Sequence, residues 1–562
     1  MYLIDTDTFK LKYFSTHTAQ KDAYAILSHT WEDEEVTFEL FKDEESAKKR
    51  KGWAKIASTV QMARRSGLKY AWVDTCCIDK SSSAELSEAI NSMFQYYEDA
   101  RVCYVYLSDL PSVRTMKGPE TVKARSASFA RCRWFMRGWT LQELVAPRVV
   151  EFYDAGWNYY GANESLVDAI SSITNIPSNV LKKKTPLQSV SVACRMSWAA
   201  NRTTTKTEDR AYSLLGIFNI NMALLYGEGD KAFIRLQEEI CRQTADLSLF
   251  AWKAERLRGG GLIIPGEKAP TSPYLGQALH GILASSPSQF AHAGSYVQHS
   301  IRSVRYSGEY TLTNRGLRFD AVTLKCDREA GRYLLCLDCR HSGPELASLL
   351  AIRLMKVDNV YVRSHADDLF DWDIGAEGVY EERVYIAKIL SPELSEAYSR
   401  DILNVHLPDE GKETQGSFYE IRAVSPRSCW DPLRRSFFVG QYDFICALRV
   451  EVDLRKFTSS PQPINQDVFL ICCVIARPEF RSGDHQEWMT YICSLTGHRE
   501  KNSAGAAARD RFEENFKNII ENDELATVEG LNGLLNPNTR FEDECGRVES
   551  ERTLSLNVWF AA

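Results

Sequence analysis

Four short apolar runs, separated by helical repeats, set the limits on how the first part of this chain can fold. Residues 23–28 read as a buried strand. Trp53, Ile56 and Val60 follow at helical spacing, and Gly67 marks the stop. Residues 70–74 form a second strand. Ser82 and Glu85 then make a capping box, ahead of Leu86, Ile90, Met93 and Tyr97 on one helix face. Residues 102–107 read as a third strand. Residues 134–146 read as a helix stopped by Pro147, and residues 149–153 as a fourth strand. This alternation implies a parallel sheet flanked by helices, because parallel neighbours need crossover connections. Such sheets bind ligands beyond the carboxyl ends of their strands.

Residues 162–250 read mostly as helix. Thr205 or Thr207 can cap one segment, and Gly227-Glu228-Gly229 makes a turn before another helix. Composition shifts at residues 256–261. Short alternating strands follow at residues 310–313, 333–337, 360–363, 384–389, 418–424, 444–452, 468–476 and 554–560, with residues 503–509 read as a loop. A chain of 562 residues exceeds one core. The expected layout is an α/β domain over residues 1–160, a helical extension over 161–255, and a β-rich, sandwich-like domain over 256–562.

The net charge of −7 leaves no basic excess to track phosphates, so nucleic acid is not an expected partner. The N-terminus lacks a basic start and an apolar core, so it does not read as a signal peptide. The strongest apolar run, residues 468–476, is too short to span a bilayer. A soluble, cytoplasmic protein is expected. The 15 cysteines are scattered and often lie within apolar strands, as reduced core thiols do. Cys336 and Cys339 make half a zinc site with no second half, so no metal is expected. The Gly227–Gly229 turn is too short for a phosphate loop.

Three segments set polar groups where packing alone would not ask for them. In the first, Ser28, His29, Thr30 and Trp31 follow the first strand at the sheet rim, where a ligand would sit. A packing account makes Ser28 and Thr30 turn caps and gives His29 a carbonyl to satisfy. In the second, Asp74 and Asp79 bracket Thr75, Cys76 and Cys77. The aspartates can orient ribose hydroxyls or cap a loop. Cys76 or Cys77 with His29 and Asp79 would make a thiol nucleophile. Alternation lets only one of the two cysteines face the rim, so one buried and one partly exposed thiol are expected. In the third, Trp139 and Glu143 lie four apart within a helix, hence on one face. A ring beside a carboxylate can stack a base while the carboxylate binds sugar hydroxyls and stabilises cationic charge as a glycosidic bond breaks. The packing alternative pairs Glu143 with Arg133 or Arg137.

In order and spacing, SHTW, then WVDTCCID, then RGWTLQELVAP resemble the three blocks of the HET domain of fungal heterokaryon-incompatibility proteins. The resemblance continues through RMSWAANR, TEDRAYSLLGIF and LLYGEGDKAFIRLQEEI and covers about residues 1–250. One departure stands at Glu32, where the family usually has glycine. HET domains in turn resemble TIR domains, whose Trp-Cys-x-x-Glu-Leu segment is similar to the stretch at Trp139–Leu144, with Thr140 in place of the cysteine. That resemblance implies a TIR-like fold with Glu143 as catalytic residue for cleaving the nicotinamide–ribose bond of NAD or NADP as substrate, with no cofactor. Ser28, His29, Thr30, Trp31, Asp74, Cys77, Asp79, Arg137 and Trp139 would bind the substrate. The implied role is a regulated cell-death effector in allorecognition or innate immunity, with self-association and a protein trigger as partners. The β-rich region would sense that trigger or restrain the domain. The competing reading is a non-catalytic module that signals by binding or self-assembly.

Overall fold

The computed structural model describes residues 1–14, 23–112, 121–254 and 279–298, and strands with short connections between residues 310 and 557. Its first sheet holds β1 (Tyr2–Asp5), β2 (Leu11–Tyr13), β3 (Tyr24–His29), β4 (Tyr70–Trp72), β5 (Val102–Tyr106), β6 (Val150–Tyr153) and β7 (Tyr159–Ala162), in the order β2-β1-β4-β3-β5-β6-β7. The inner four strands run parallel, as their crossover helices require. The edges differ from the expected all-parallel sheet: β1 and β2 form an antiparallel hairpin on β4, and β7 pairs antiparallel with β6. These edge strands are three or four residues long and partly exposed, so they carry too little alternation to read.

β3 is buried along its whole length because it has parallel neighbours on both sides. The chain leaves β3 for β4 on one side, then crosses back to β5 on the other. Winding therefore reverses between β3 and β5, which opens a crevice at their carboxyl ends. The expected helices are present at Trp53–Arg65 and Ser83–Asp99. Ser82 accepts from the Glu85 amide at 3.3 Å, but the Glu85 carboxylate takes the Asp79 amide at 3.0 Å, so only half the capping box forms.

The single helix expected over residues 134–146 is broken in two: a 3-10 turn at Arg133–Met136 and a helix at Thr140–Val145. The cause is an extended stretch at Arg137–Gly138 that pairs with a distant loop. The Gly138 amide donates to the Thr203 carbonyl at 2.9 Å, and the Thr203 amide to the Met136 carbonyl at 2.6 Å. A Cβ at position 138 would lie 2.5 Å from Thr204 Cγ2. Gly138→Ala is therefore expected to destabilise the full chain by about 1–3 kcal/mol, read as an earlier midpoint in chemical unfolding.

Short helices and 3-10 turns fill residues 167–250, ending in the helix Lys231–Gln243 and the turn Leu247–Phe250. Glu208, not Thr205 or Thr207, occupies the N-cap position of Asp209–Tyr212. Its carboxylate instead accepts from the Gly227 and Gly229 amides at 2.8 and 3.1 Å.

The second half is built of sheets. Tyr310–Thr313, Gly316–Asp327, Arg332–Cys336, Leu349–Val357, Val360–Arg363, Phe370–Trp372 and Val379–Ile386 make one, and strands between Ile402 and Asn557 make two more. Every expected strand overlaps one of these. The composition shift at 256–261 and the loop at 503–509 lie outside the described residues.

The apolar core does not stop where the strands change. One cluster runs from Leu3 through Trp252 and Phe319 to Ile386. Arg363 crosses the join: fully buried, it donates to the carbonyls of Phe250 at 2.9 Å and Trp252 at 2.5 Å, with its guanidinium 4.0 Å over the Trp252 ring. No helix among the described residues is long and apolar enough to cross a membrane.

Candidate functional site

Successive residues of β3 point to opposite faces of the sheet, so Ser28 and His29 head two different clusters at the same strand end. Ser28 Oγ donates to Glu143 Oε2 and accepts from Trp134 Nε1 at 2.7 Å. Glu143 is 9% exposed, and among the described residues it has no cation within ion-pair distance. Burial pushes its carboxyl up to about 7, helped by the negative charge of Asp74. The Ser28 hydrogen bond, the Arg137 charge and the Tyr97 hydroxyl oppose that rise. The pairing with Arg133 or Arg137 that the packing alternative offered does not form at ion-pair distance. Arg133 goes to Glu32 at 3.3 Å and to Asp109 at 3.5 Å. Arg137 acts on Glu143 only through its charge.

Around this carboxylate lies an uneven supply of donors. Arg202 donates to the Arg137 carbonyl and to Thr140 Oγ1, both at 2.9 Å, and so fixes the start of the helix that carries Glu143. Burial lowers the Arg202 pKa to about 10, against the pull of the Glu143 charge. Arg202 Nη2, Arg137 Nε and Gln142 Nε2 are buried with no acceptor. Buried polar atoms of this kind are costly to leave without partners.

On the other face, His29 Nε2 lies 3.0 Å from Asp74 Oδ1, and Trp31 Nε1 donates to Asp74 Oδ2 at 2.7 Å. Lys55 Nζ lies 3.4 Å from His29 Nδ1 and donates to the Thr30 carbonyl at 3.1 Å and to Glu35 at 2.5 Å. The Lys55 ammonium can only donate, so it meets Nδ1 as a donor, while Nε2 faces Asp74. Burial pushes the Asp74 carboxyl up, but His29, Lys80 and the Trp31 N–H outweigh it and hold it at about 2. The Lys80 ammonium lies 3.7 Å over the Trp31 ring.

Ser28, His29, Thr30, Trp31 and Asp74 thus lie at one strand end, Ser28 on one face of the sheet and the His29–Asp74–Trp31 group on the other. Trp139 does not join Glu143. It precedes the helix, and its indole hydrogen-bonds the Asp209 carboxylate. The ring beside the Glu143–Ser28 pair is Trp134. Asp79 caps its own turn, accepting from the Ser81 amide at 3.0 Å. Cys77 lines a separate cleft of about 240 Å³ with Trp72, Glu85, Glu88 and Tyr96. The two thiols differ from expectation, since both are buried. The chain turns after β4, so Cys77 Sγ accepts from the Val73 amide and Cys76 Sγ donates to the Val73 carbonyl. Burial, with Cys77 alongside, raises the Cys76 thiol well above its ordinary value. Both His29 nitrogens are engaged elsewhere, so no thiol–imidazole pair is assembled. Cys336 and Cys339 are free and buried, and the described residues contain no cluster of three or more His, Cys, Asp or Glu side chains placed to hold a metal ion.

A cleft of about 470 Å³ opens at the same rim, lined by Trp31, Glu32, Asp33, Lys51, Gly52, Lys55 and Arg133. Gly52 permits it: a Cβ there would sit 2.6 Å from Glu35 Oε2 and 2.9 Å from its Cα, forcing the 32–36 loop away from the helix. Glu32 reaches Ser108 Oγ at 2.8 Å, Arg133 Nη2 at 3.3 Å and Lys55 Nζ at 3.3 Å. Lys55, Trp134 and Arg202 escaped the sequence reading. Lys55 and Trp134 sit at ordinary core spacing, and only the fold brings them to Ser28 and His29.

Residues 24–131 match the family model described as Heterokaryon incompatibility protein (HET), and residues 231–353 match one described as a domain of unknown function (DUF8212). The chain is 49% identical over 221 residues to the Vegetative incompatibility protein HET-E-1 of Podospora anserina. That region is 39% of this chain and 16% of the relative, so the chain spans about a sixth of the protein it matches. No solved structure matches the chain. The HET match contains Ser28, His29 and Asp74 and ends short of Glu143.

Proposed function

From the premise that this chain carries a HET domain, we propose that it acts in fungal heterokaryon incompatibility as a regulated cell-death effector, and that the domain is a TIR-like hydrolase of the nicotinamide–ribose bond of NAD or NADP. The observation that carries this reading is Glu143: a buried carboxylate with no cation at ion-pair distance among the described residues, tied to Ser28 at the strand end where parallel sheets take ligands. As the glycosidic bond breaks, positive charge grows on the ribose. An anionic Glu143 in a low-dielectric site stabilises that charge, and nicotinamide leaves neutral, so no second carboxylate acid is needed. Ser28 and Trp134 orient the carboxylate. His29, Asp74 and Trp31 form a hydrogen-bonded rim at the same strand end on the opposite face, and Arg202 positions the Glu143 helix.

The burial of Glu143 favours a second reading. The carboxylate does not line the rim cleft, so a non-catalytic module that signals by self-assembly would also keep it where it is. In the hydrolase reading, self-association prompted by a protein trigger shifts the Arg133–Val145 segment and admits substrate. Incubating the purified full chain with NAD and NADP, alone and at concentrations that drive self-association, tests this. Release of nicotinamide is the expected result. No turnover at any concentration, with toxicity in cells intact, would sink the hydrolase.

A further inference from the structure

Glu32 is held like a ligand. Its Oε1 meets Ser108 Oγ at 2.8 Å and Arg133 Nη2 at 3.3 Å, while Oε2 meets Lys55 Nζ at 3.3 Å. These donors come from three separate elements: the end of β5, the turn Arg133–Met136 and the helix Trp53–Arg65. They converge at the reversal point between β3 and β5, where sheets of this winding take ligands. Lys55 is more than nine-tenths buried, and Glu35 fixes it from behind as Asp109 fixes Arg133. Lys51 adds a cation at the cleft mouth, 3.6 Å from Glu34, and Asp33 is the other carboxylate among the lining residues. The anion filling this arrangement is 39% exposed and comes from a loop, and the cleft has room for far more than one carboxylate.

We propose that this cleft is a diphosphate-binding subsite and that Glu32 is its built-in competitor, displaced when a nucleotide's phosphates take over Arg133, Lys55 and Ser108. The assignment of a nucleotide rests on the hydrolase reading, while the anion site itself does not. A phosphate oxygen accepts charge-assisted hydrogen bonds as a carboxylate does, and a diphosphate brings more charge and more acceptors than Glu32 can. Glu32 thereby sets a threshold: only a ligand with enough anionic charge displaces it. A glycine at this position would leave the subsite open.

The probe is inorganic pyrophosphate, titrated calorimetrically into the full chain, so that binding is read apart from turnover. Glu32→Gln is expected to tighten pyrophosphate binding about tenfold over the parent, because the competing charge is gone. Adding Arg133→Gln to that variant is expected to erase the gain. Equal affinity in parent and Glu32→Gln would overturn the proposal, and so would a gain that survives Arg133→Gln. Thermal unfolding of each variant confirms that the folded chain was titrated. A pyrophosphate site in a chain without turnover would keep the subsite and discard the hydrolase. Turnover without a Glu32-dependent site would do the reverse.

Discussion

On the hydrolase reading, Glu143→Gln is expected to lower nucleotide turnover by about 10³-fold or more, while leaving the chain as stable as the parent below pH 4.5 and increasingly more stable than it from there to pH 8. Glutamine keeps the acceptor that Ser28 donates to and the shape of the side chain, but it loses the charge that meets the developing cation. The stability half of the prediction follows from linkage. The Glu143 carboxyl rises from its ordinary 4.5 to about 7, mainly because burial penalises the anion. The folded chain therefore binds this proton more tightly than the unfolded chain. The resulting stabilisation is complete below pH 4.5 and is lost as pH rises through 7. The loss is about 3 kcal/mol across that window, and Glu143→Gln should not show it. On the hydrolase reading turnover should run the opposite way and rise through pH 7, since the anion would be the working form. Urea midpoints measured from pH 4 to 8.5 and nicotinamide release measured from pH 5 to 8.5 read both. A variant that keeps its turnover but is destabilised at pH 8 would make Glu143 a structural carboxylate.

That reading of Glu143 came from a local pattern, and the fold altered the details. The inner strands were legible because Tyr24–His29 and Val102–Tyr106 are apolar throughout, as strands buried on both faces must be. The helix containing Glu143 was legible in its apolar residues but not in its break. Gly138 is drawn into a pairing with Thr203, a contact set by tertiary structure that no local propensity encodes. That break separates Trp139 from Glu143 and puts Trp134 beside the carboxylate instead. Asp74 and His29 were found as individuals, but the link from Trp31 through Asp74 and His29 to Lys55 depends on which face of a strand meets which helix. The two cysteines illustrate the limit of alternation. It assumes an extended strand, and the chain turns at Thr75, so both thiols go inward.

Cutting the chain after residue 254 is expected to give a fragment that aggregates or unfolds more than about 10 °C below one ending after residue 390. The helical segment closes its core with residues from beyond the cut. Phe250 and Trp252 are almost fully buried. The Phe250 ring lies 5.8 Å from Tyr310, and Trp252 Nε1 donates to the Ile282 carbonyl at 2.7 Å. Gln237 exchanges two hydrogen bonds with the backbone of Ala284, and Arg363 supplies donors to the Phe250 and Trp252 carbonyls. Uncovering each large apolar side chain costs about 1.5–3 kcal/mol, and each orphaned carbonyl or amide adds about 1–3 kcal/mol. A few such losses are comparable to the net stability of a domain. A short fragment that fails to kill cells would therefore say nothing about restraint by the β-rich region, because it would fail by misfolding. Arg363→Met in the full chain is the sharper instrument. It loosens the join while filling most of the arginine's volume, and limited proteolysis can show that the first sheet stays folded. If that variant releases nicotinamide faster than the parent, the β-rich region restrains the N-terminal α/β domain through this contact. If turnover is unchanged while the join loosens, the region contributes stability alone. Should the fragment ending at residue 254 match the longer one in a single cooperative transition, the packing across residue 254 is dispensable and this ordering of experiments reverses.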